Sequence, residues 1–120
     1  MDPVPRILIV DDHAGFRAAA RRLLEADSYE VVGEAPDGES ALTASRELLP
    51  DVVLLDIQLP GLDGFQVAAQ LAEDADPPAI VLVSTLDSSD VEPRIDPGHV
   101  RGFLPKDRLS GPALDALLAG

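Results

Sequence analysis

Short apolar runs alternate along the chain with longer segments whose apolar residues recur at helical spacing. Ile7-Leu8-Ile9-Val10 lies between Pro5 and Asp11 with no polar break, the pattern of a strand buried on both faces. Phe16, Ala19, Ala20, Leu23 and Leu24 then fall at i, i+3, i+4, i+7 and i+8. That spacing predicts a helix from about residue 13 to 26 with those five side chains on its inner face. Tyr29 to Gly33 reads as a second strand. Asp37 is placed to cap a helix that carries Ala41, Leu42, Leu48 and Leu49 on one side and stops at Pro50. Val52-Val53-Leu54-Leu55 is a third strand, and Pro60-Gly61 signals a turn. A helix from about Asp63 to Ala75 ends before Pro77-Pro78. Ala79 to Val83 and Val100 to Leu104 complete five strands. Leu114, Leu117 and Leu118 mark a short last helix, with Ser110 as its cap and Pro112 in its first turn.

One unit breaks the rhythm. Between the fourth and fifth strands, Pro93 and Pro97-Gly98 interrupt residues 88–98. Proline inside a helix removes a hydrogen bond and clashes with the preceding turn. A helix of two turns or fewer, or a loop, is expected there. Repeated strand–helix alternation implies an α/β domain: a doubly wound, five-stranded parallel sheet with helices on both faces.

The length of 120 residues suits a single domain over 1–120. With 46% hydrophobic residues the chain is too apolar for disorder, and its lack of cysteine excludes disulfides and thiolate metal sites. No apolar run approaches the roughly 20 residues of a membrane helix. Residues 1–6 lack the regions of a signal peptide, so a cytoplasmic chain with no membrane partner is expected. The net charge of −13 would repel a polyanion, which argues against direct nucleic-acid binding. Excess acid often serves only solubility. A cation site needs clustered acids, and Asp11-Asp12 is such a cluster.

In open parallel sheets ligands sit outside the carboxyl ends of the strands, at the switch in strand order. Strand one ends in Asp11-Asp12, strand three in Asp56, strand four in Ser84-Thr85, and strand five is followed by Lys106. In the order 2-1-3-4-5, strands one and three are neighbours, so three carboxylates converge with a hydroxyl and an ammonium beside them. Clustered carboxylates repel unless a cation relieves them, and an oxygen-rich site suits Mg²⁺. Taken singly, Asp11 and Asp12 could merely cap a helix and Asp56 a loop. Lys106 is the sole lysine among nine basic residues, and its place lets a point charge reach an anion over the site. No Gly-x-x-x-x-Gly-Lys or Gly-x-Gly-x-x-Gly loop offers a nucleotide site. An acidic pair after strand one is hostile to a flavin phosphate. Gln58 stands where dehalogenase-type phosphotransferases need a second aspartate.

The set Asp11-Asp12, Asp56, Ser84 and Lys106 resembles, in register, the response-regulator receiver family of two-component signalling, and the resemblance spans the whole chain. Its flanks agree: Leu8-Ile9-Val10-Asp11-Asp12-His13, Asp56-Ile57-Gln58-Leu59-Pro60-Gly61 and Gly102-Phe103-Leu104-Pro105-Lys106-Asp107. The Asp-Asp-His start and the Lys-Asp ending are most similar to receivers joined to helix-turn-helix DNA-binding domains. The resemblance implies a flavodoxin-like fold, here with a short or broken fourth helix. It implies Asp56 as phosphoacceptor from a sensor histidine kinase or phosphotransfer protein. It implies Mg²⁺ held by Asp12, Asp56 and the Gln58 backbone carbonyl, with Asp11 acting partly through water. Lys106 and Ser84 would serve the phosphoryl oxygens, and Ser84 and Phe103 the switch. Such a chain is no enzyme beyond its own phosphorylation and dephosphorylation, and homodimerisation is open to it.

Some residues depart from the family pattern. Phe103 lacks a hydroxyl, so it can switch only by packing, and it serves equally as ordinary core. Asp107 stands where many receivers have proline, which removes a cis peptide after the lysine. The broken fourth helix puts the usual output face in doubt. His13 and His99 read as structural or solvent residues, and a two-histidine metal site is not expected, since they fall at opposite ends of the switch-point geometry. Two alternatives stay open: a phosphorylation-independent binding module, and the excised receiver of a DNA-binding transcription regulator.

Overall fold

The computed structural model describes residues 4–85 and 91–119. Five parallel strands, β1 (Arg6–Val10), β2 (Glu30–Ala35), β3 (Val52–Asp56), β4 (Ala79–Ser84) and β5 (Gly102–Pro105), lie in the order β2-β1-β3-β4-β5. Helices α1 (Ala14–Ala26), α2 (Gly38–Leu48) and α3 (Gly64–Ala72) follow the first three strands. Between β4 and β5, residues 91–101 hold the 3₁₀ turn Glu92–Arg94 and then turns through Pro97-Gly98, in keeping with the proline breaks. Residues 88–90 of that segment lie outside the described residues. The label α4 therefore falls to the last helix, Gly111–Ala119.

The sheet separates two apolar layers. Leu8, Val10, Val53, Leu55, Ile80 and Leu82 pack on one face with residues of α2 and α3. Ile7, Ile9, Val52, Leu54, Val81 and Val83 pack on the other with Ala20 and Leu24 of α1 and Leu114 of α4. Alternate residues of a strand point to opposite faces, so strands covered on both sides must be apolar throughout. Every residue of β3 is buried, including Asp56. Each fully buried Leu or Ile stabilises the fold by about 1.5–3 kcal/mol.

The helix starts follow their caps. Asp37 accepts from the Ser40 backbone N–H at 2.8 Å, and these bonds hold its carboxyl below the usual carboxylate range. Asp63 and Gln66 form a reciprocal capping box. Ser110 Oγ accepts from Ala113 N at 3.0 Å. Tyr29, just before β2, donates to Asp115 and ties the entry of β2 to α4; burial first, then that carboxylate, raises the phenol's pKa.

Several expected boundaries shift. Helix α3 ends at Ala72 rather than Ala75, and β5 starts at Gly102 rather than Val100. The inner face of α1 is Phe16, Ala20 and Leu24; Ala19 is exposed and Leu23 is 36% exposed. Arg17 and Arg21 take the flank toward β2, where both pair with Glu34. Leu49 is 66% exposed, because it leaves α2 in the left-handed conformation (φ 50°) with its N–H on the Ser45 carbonyl.

Gly64 opens α3 against the end of β3. A Cβ there would sit 2.6 Å from the Asp56 carbonyl oxygen and 2.7 Å from Ile57 Cα, and neither backbone atom can step aside. Gly64→Ala is expected to cost about 1–3 kcal/mol in urea unfolding. Gly15→Ala in α1, where a Cβ meets nothing within 4 Å, is expected to gain about 0.5 kcal/mol. Equal effects at the two positions would show that close approach is not what fixes Gly64.

Candidate functional site

The strand register assembles the site. Val10 pairs with Leu55, so Asp11 and Asp56 stand level at the carboxyl ends of β1 and β3. Asp56 pairs with Val83, which places Ser84 one step beyond it, and Ser84 pairs with Pro105, which places Lys106 one step further. The four groups thus step across the top of the sheet without any loop having to reach.

Asp11 is 0% exposed, Asp56 1% and Ser84 0%. Lys106 Nζ lies 2.6 Å from Asp11 Oδ2 and 3.4 Å from Asp56 Oδ2, and 4.5 Å above the Phe16 ring. Asp11 Oδ2 is buried and accepts no hydrogen bond, so its tie to Lys106 is an ion pair alone. Asp56 Oδ1 accepts from the Gln58 backbone N–H at 3.1 Å. Burial pushes the Asp56 carboxyl up to about 6; the Gln58 N–H opposes this, the Asp11 charge adds to it, and Lys106 pulls it down. Asp12 is exposed at the rim. One ligand atom from each of Asp11, Asp12, His13 and Asp56 lies within 4.8 Å of the others. This donor set of carboxylates with a surplus of negative charge fits a divalent cation. Phe103 is partly buried against the layer that holds Val91 and Val100.

Two residues join the site that the sequence reading did not choose. His13 caps α1 and folds back: its N–H donates to Asp11 Oδ1 at 2.7 Å, and its Nδ1 lies 3.1 and 3.0 Å from Asp11 Oδ1 and Asp12 Oδ1. It is therefore a neighbour of the acids, not merely a solvent residue. The turn is made by the Asp11 side chain bonding the backbone two residues on, so an aspartate at the strand end is its signal in the sequence. Arg17 Nη1 donates to the Asp11 carbonyl at 2.6 Å while its Nε binds Glu34, which fixes the loop that bears both acids. His99 pairs with Asp96 just before β5, at the opposite edge of the sheet, as expected. No cis peptide occurs among the described residues. Two clefts of about 280 and 440 Å³ lie at that opposite edge, around Pro77 and Pro78, away from the acids.

The model of the response regulator receiver domain matches residues 7–114. The chain belongs to that family. This receiver domain is 37% identical over 116 residues to the transcriptional regulatory protein LiaR of Bacillus subtilis (95% of this chain, 54% of that protein). It is 40% identical over 117 residues to the nitrate/nitrite response regulator protein NarP of Escherichia coli (96% and 54%). It therefore spans about half the length of these curated relatives. Among solved structures it superposes on the signal receiver domain of the response regulator NarL from Mycobacterium tuberculosis with a TM-score of 0.87 at 35% identity, covering 99% of this chain and 100% of that one. Among the described residues, no helix is long and apolar enough to cross a membrane.

The raised Asp56 carboxyl has a pH consequence. A group that titrates higher in the folded chain favours folding fully below its unfolded pKa of 3.8, and that advantage is lost as pH rises through about 6. In buffer free of divalent ions, Asp56→Asn is expected to raise the urea midpoint at about pH 7.5 and to leave it nearly unchanged near pH 3.8. A gain that does not vary with pH would mean that burial of the charge is not the strain.

Proposed function

We propose that this receiver domain is a phosphorylatable switch whose Asp56 accepts a phosphoryl group from a phosphohistidine of a kinase or phosphotransfer protein, with Mg²⁺ as cofactor. One observation carries the reading: a buried carboxylate at a strand end, side by side with a second buried carboxylate and within 3.4 Å of the chain's sole lysine. Asp12, Asp56 and the Gln58 carbonyl would hold the ion, with Asp11 in part through water. When bound, Mg²⁺ offsets the negative charge gathering on the phosphoryl oxygens.

An Asp56 carboxylate oxygen attacks phosphorus, the P–N bond to the donor imidazole breaks with its electron pair staying on nitrogen, and an acyl phosphate forms. The strand end fixes the nucleophile's direction, and the Gln58 N–H holds its other oxygen. Lys106 already lies over Asp56, so its ammonium needs little movement to meet a phosphoryl oxygen. Ser84, next in register, is placed to donate to another of those oxygens. The chemistry stays on this chain: its own phosphorylation and dephosphorylation, in the cytoplasm.

The output works through protein contacts, since a chain of charge −13 repels DNA. The relatives' names, transcriptional regulator and nitrate/nitrite response regulator, make control of transcription the reading we favour for its output.

Incubation with a small acyl phosphate, followed by intact mass, tests this. We expect the gain of one phosphoryl group with Mg²⁺, none without it and none in Asp56→Asn, and a rate at least about tenfold lower in Lys106→Ala. A folded protein that binds Mg²⁺ and gains nothing would instead favour a phosphorylation-independent binding module.

A further inference from the structure

The function proposed above gives the cation oxygen ligands alone, yet the structure sets a nitrogen among them. We propose that His13 is a fourth ligand which opens this site to imidazole-binding divalent transition ions such as Ni²⁺ and Zn²⁺; this rests on the reading that the acidic cluster is a cation site.

The distances have the size such a role needs. Metal–ligand bonds of about 2.0–2.2 Å put neighbouring ligands in an octahedron about 3 Å apart and opposite ones somewhat over 4 Å apart. His13 Nδ1 lies 3.1 Å from Asp11 Oδ1 and 3.0 Å from Asp12 Oδ1, and the donors of Asp11, Asp12, His13 and Asp56 all fall within 4.8 Å of one another. The backbone N–H of His13, bonded to Asp11 Oδ1 at 2.7 Å, keeps the residue beside the acids. Its ring is 70% exposed and so has room to adjust around an ion.

A second observation points to a cation here. Asp11 is wholly buried, and its Oδ2 accepts no hydrogen bond; the Lys106 ammonium is its sole partner among the described residues. The two buried carboxylates share that single ammonium, and Asp12 adds a third carboxylate beside them. Carboxylates alone suit Mg²⁺, Ca²⁺ and Mn²⁺, whereas imidazole suits Zn²⁺ and Ni²⁺, and affinity for a given mixed site rises along the series toward copper. One nitrogen with three carboxylates is therefore a site of mixed preference. No competitor complicates the assignment: the chain has no cysteine, and its other histidine, His99, lies with Asp96 at the opposite edge of the sheet.

The alternative for the same geometry is a proton on Nδ1 shared with both acids, with no lone pair offered to a metal. Metal titrations of the full chain separate the two. Ni²⁺ and Mg²⁺ affinities would be measured by calorimetry and by amide shifts for the unmodified chain, His13→Ala, His13→Asn and His99→Ala. Loss of the nitrogen is expected to weaken Ni²⁺ by at least about tenfold and to leave Mg²⁺ within about twofold. His99→Ala should change neither. With Zn²⁺ and ¹⁵N-labelled histidine, the His13 Nδ1 resonance should move on addition of one equivalent.

Unchanged Ni²⁺ affinity in His13→Ala, or equal losses for Ni²⁺ and Mg²⁺, would overturn the proposal; the second result would make His13 a positioning group for the acids. His13 occupies the N-cap of α1 without a side-chain cap bond, and His13→Asn puts a good capping side chain there, so a loss shared by both variants is not a loss of the helix start. Binding of Ni²⁺ through His13 without any binding of Mg²⁺ would sink the Mg²⁺ reading and leave this one standing. Binding of Mg²⁺ with no His13-dependent Ni²⁺ site would do the reverse.

Discussion

Two carboxylates buried side by side with one ammonium between them are the constraint on which this structure turns. Asp11 and Asp56 are both nearly inaccessible, and Lys106 touches both. Two like charges in a medium less polar than water repel strongly, and each loses hydration besides. One ammonium cannot balance both, and Asp12 adds a third negative charge at the rim. The centre is therefore short of positive charge by construction. Burial first, with the Asp11 charge adding to it, leaves Asp56 a carboxyl that holds its proton to about 6. On the proposed reading a divalent cation would relieve the deficit, and a phosphoryl group brought in with it would again need cations. The same imbalance would then draw a metal ion and let the site respond to an added anion.

The fold tolerates this strain by confining it. Below Asp11 and Asp56, β1 and β3 are apolar on both faces, so the sheet is stable without help from its polar tips. The acids come at the last residue of β3 and the first after β1, where the chain turns out toward water. Arg17 then fixes the Asp11 carbonyl while Glu34 fixes Arg17, and Gly64 lets α3 press against the Asp56 carbonyl. Helix start, neighbouring strand and following loop all immobilise the backbone beneath the charges. Relief by backbone movement is thereby made costly, which leaves a cation as the easier response.

What the sequence disclosed follows the same division. Strands buried on both faces announce themselves as unbroken apolar runs, and three of the five had such runs next to an acid or hydroxyl. Their order, and with it the meeting of Asp11, Asp56, Ser84 and Lys106, was legible because parallel strands bring all their carboxyl ends to one edge. The face of α1 was less legible. Five apolar residues fit the helical period, but Phe16, Ala20 and Leu24 are the ones that meet the sheet while Arg17 and Arg21 reach Glu34 of β2, and a contact between elements leaves no mark in periodicity. Leu49 fitted the period of α2 and still left the helix, since the Pro50 that follows disfavours the α conformation at that position. His13 escaped because its closeness to the acids depends on one turn, closed by its backbone N–H on Asp11, that is seen only in the folded chain. Arg17 escaped because an arginine on a helix reads as solvated until its carbonyl partner is seen.

On the proposed reading, a change at Asp56 must travel through packing rather than through a hydroxyl. Ser84 ends β4 and Phe103 lies in β5, two residues back in register, since Leu82 pairs with Phe103 and Ser84 with Pro105. Phe103 offers only its ring, partly buried against the same layer as Val91, Ile95 and Val100. Arg94 of the 3₁₀ turn stacks 4.2 Å over Phe65 of α3, so the segment between β4 and β5 is clamped to the helix that begins at the phosphoacceptor's loop. Prolines keep that segment short and stiff in its described part, and a stiff segment moves as a unit rather than melting. An inward pull on Ser84 would therefore be felt as a shift of Phe103 against Ile95 and Val91, and of Arg94 over Phe65. Neither contact can stretch far without opening a void in a close-packed layer, so two discrete packings are a more natural response than a graded one.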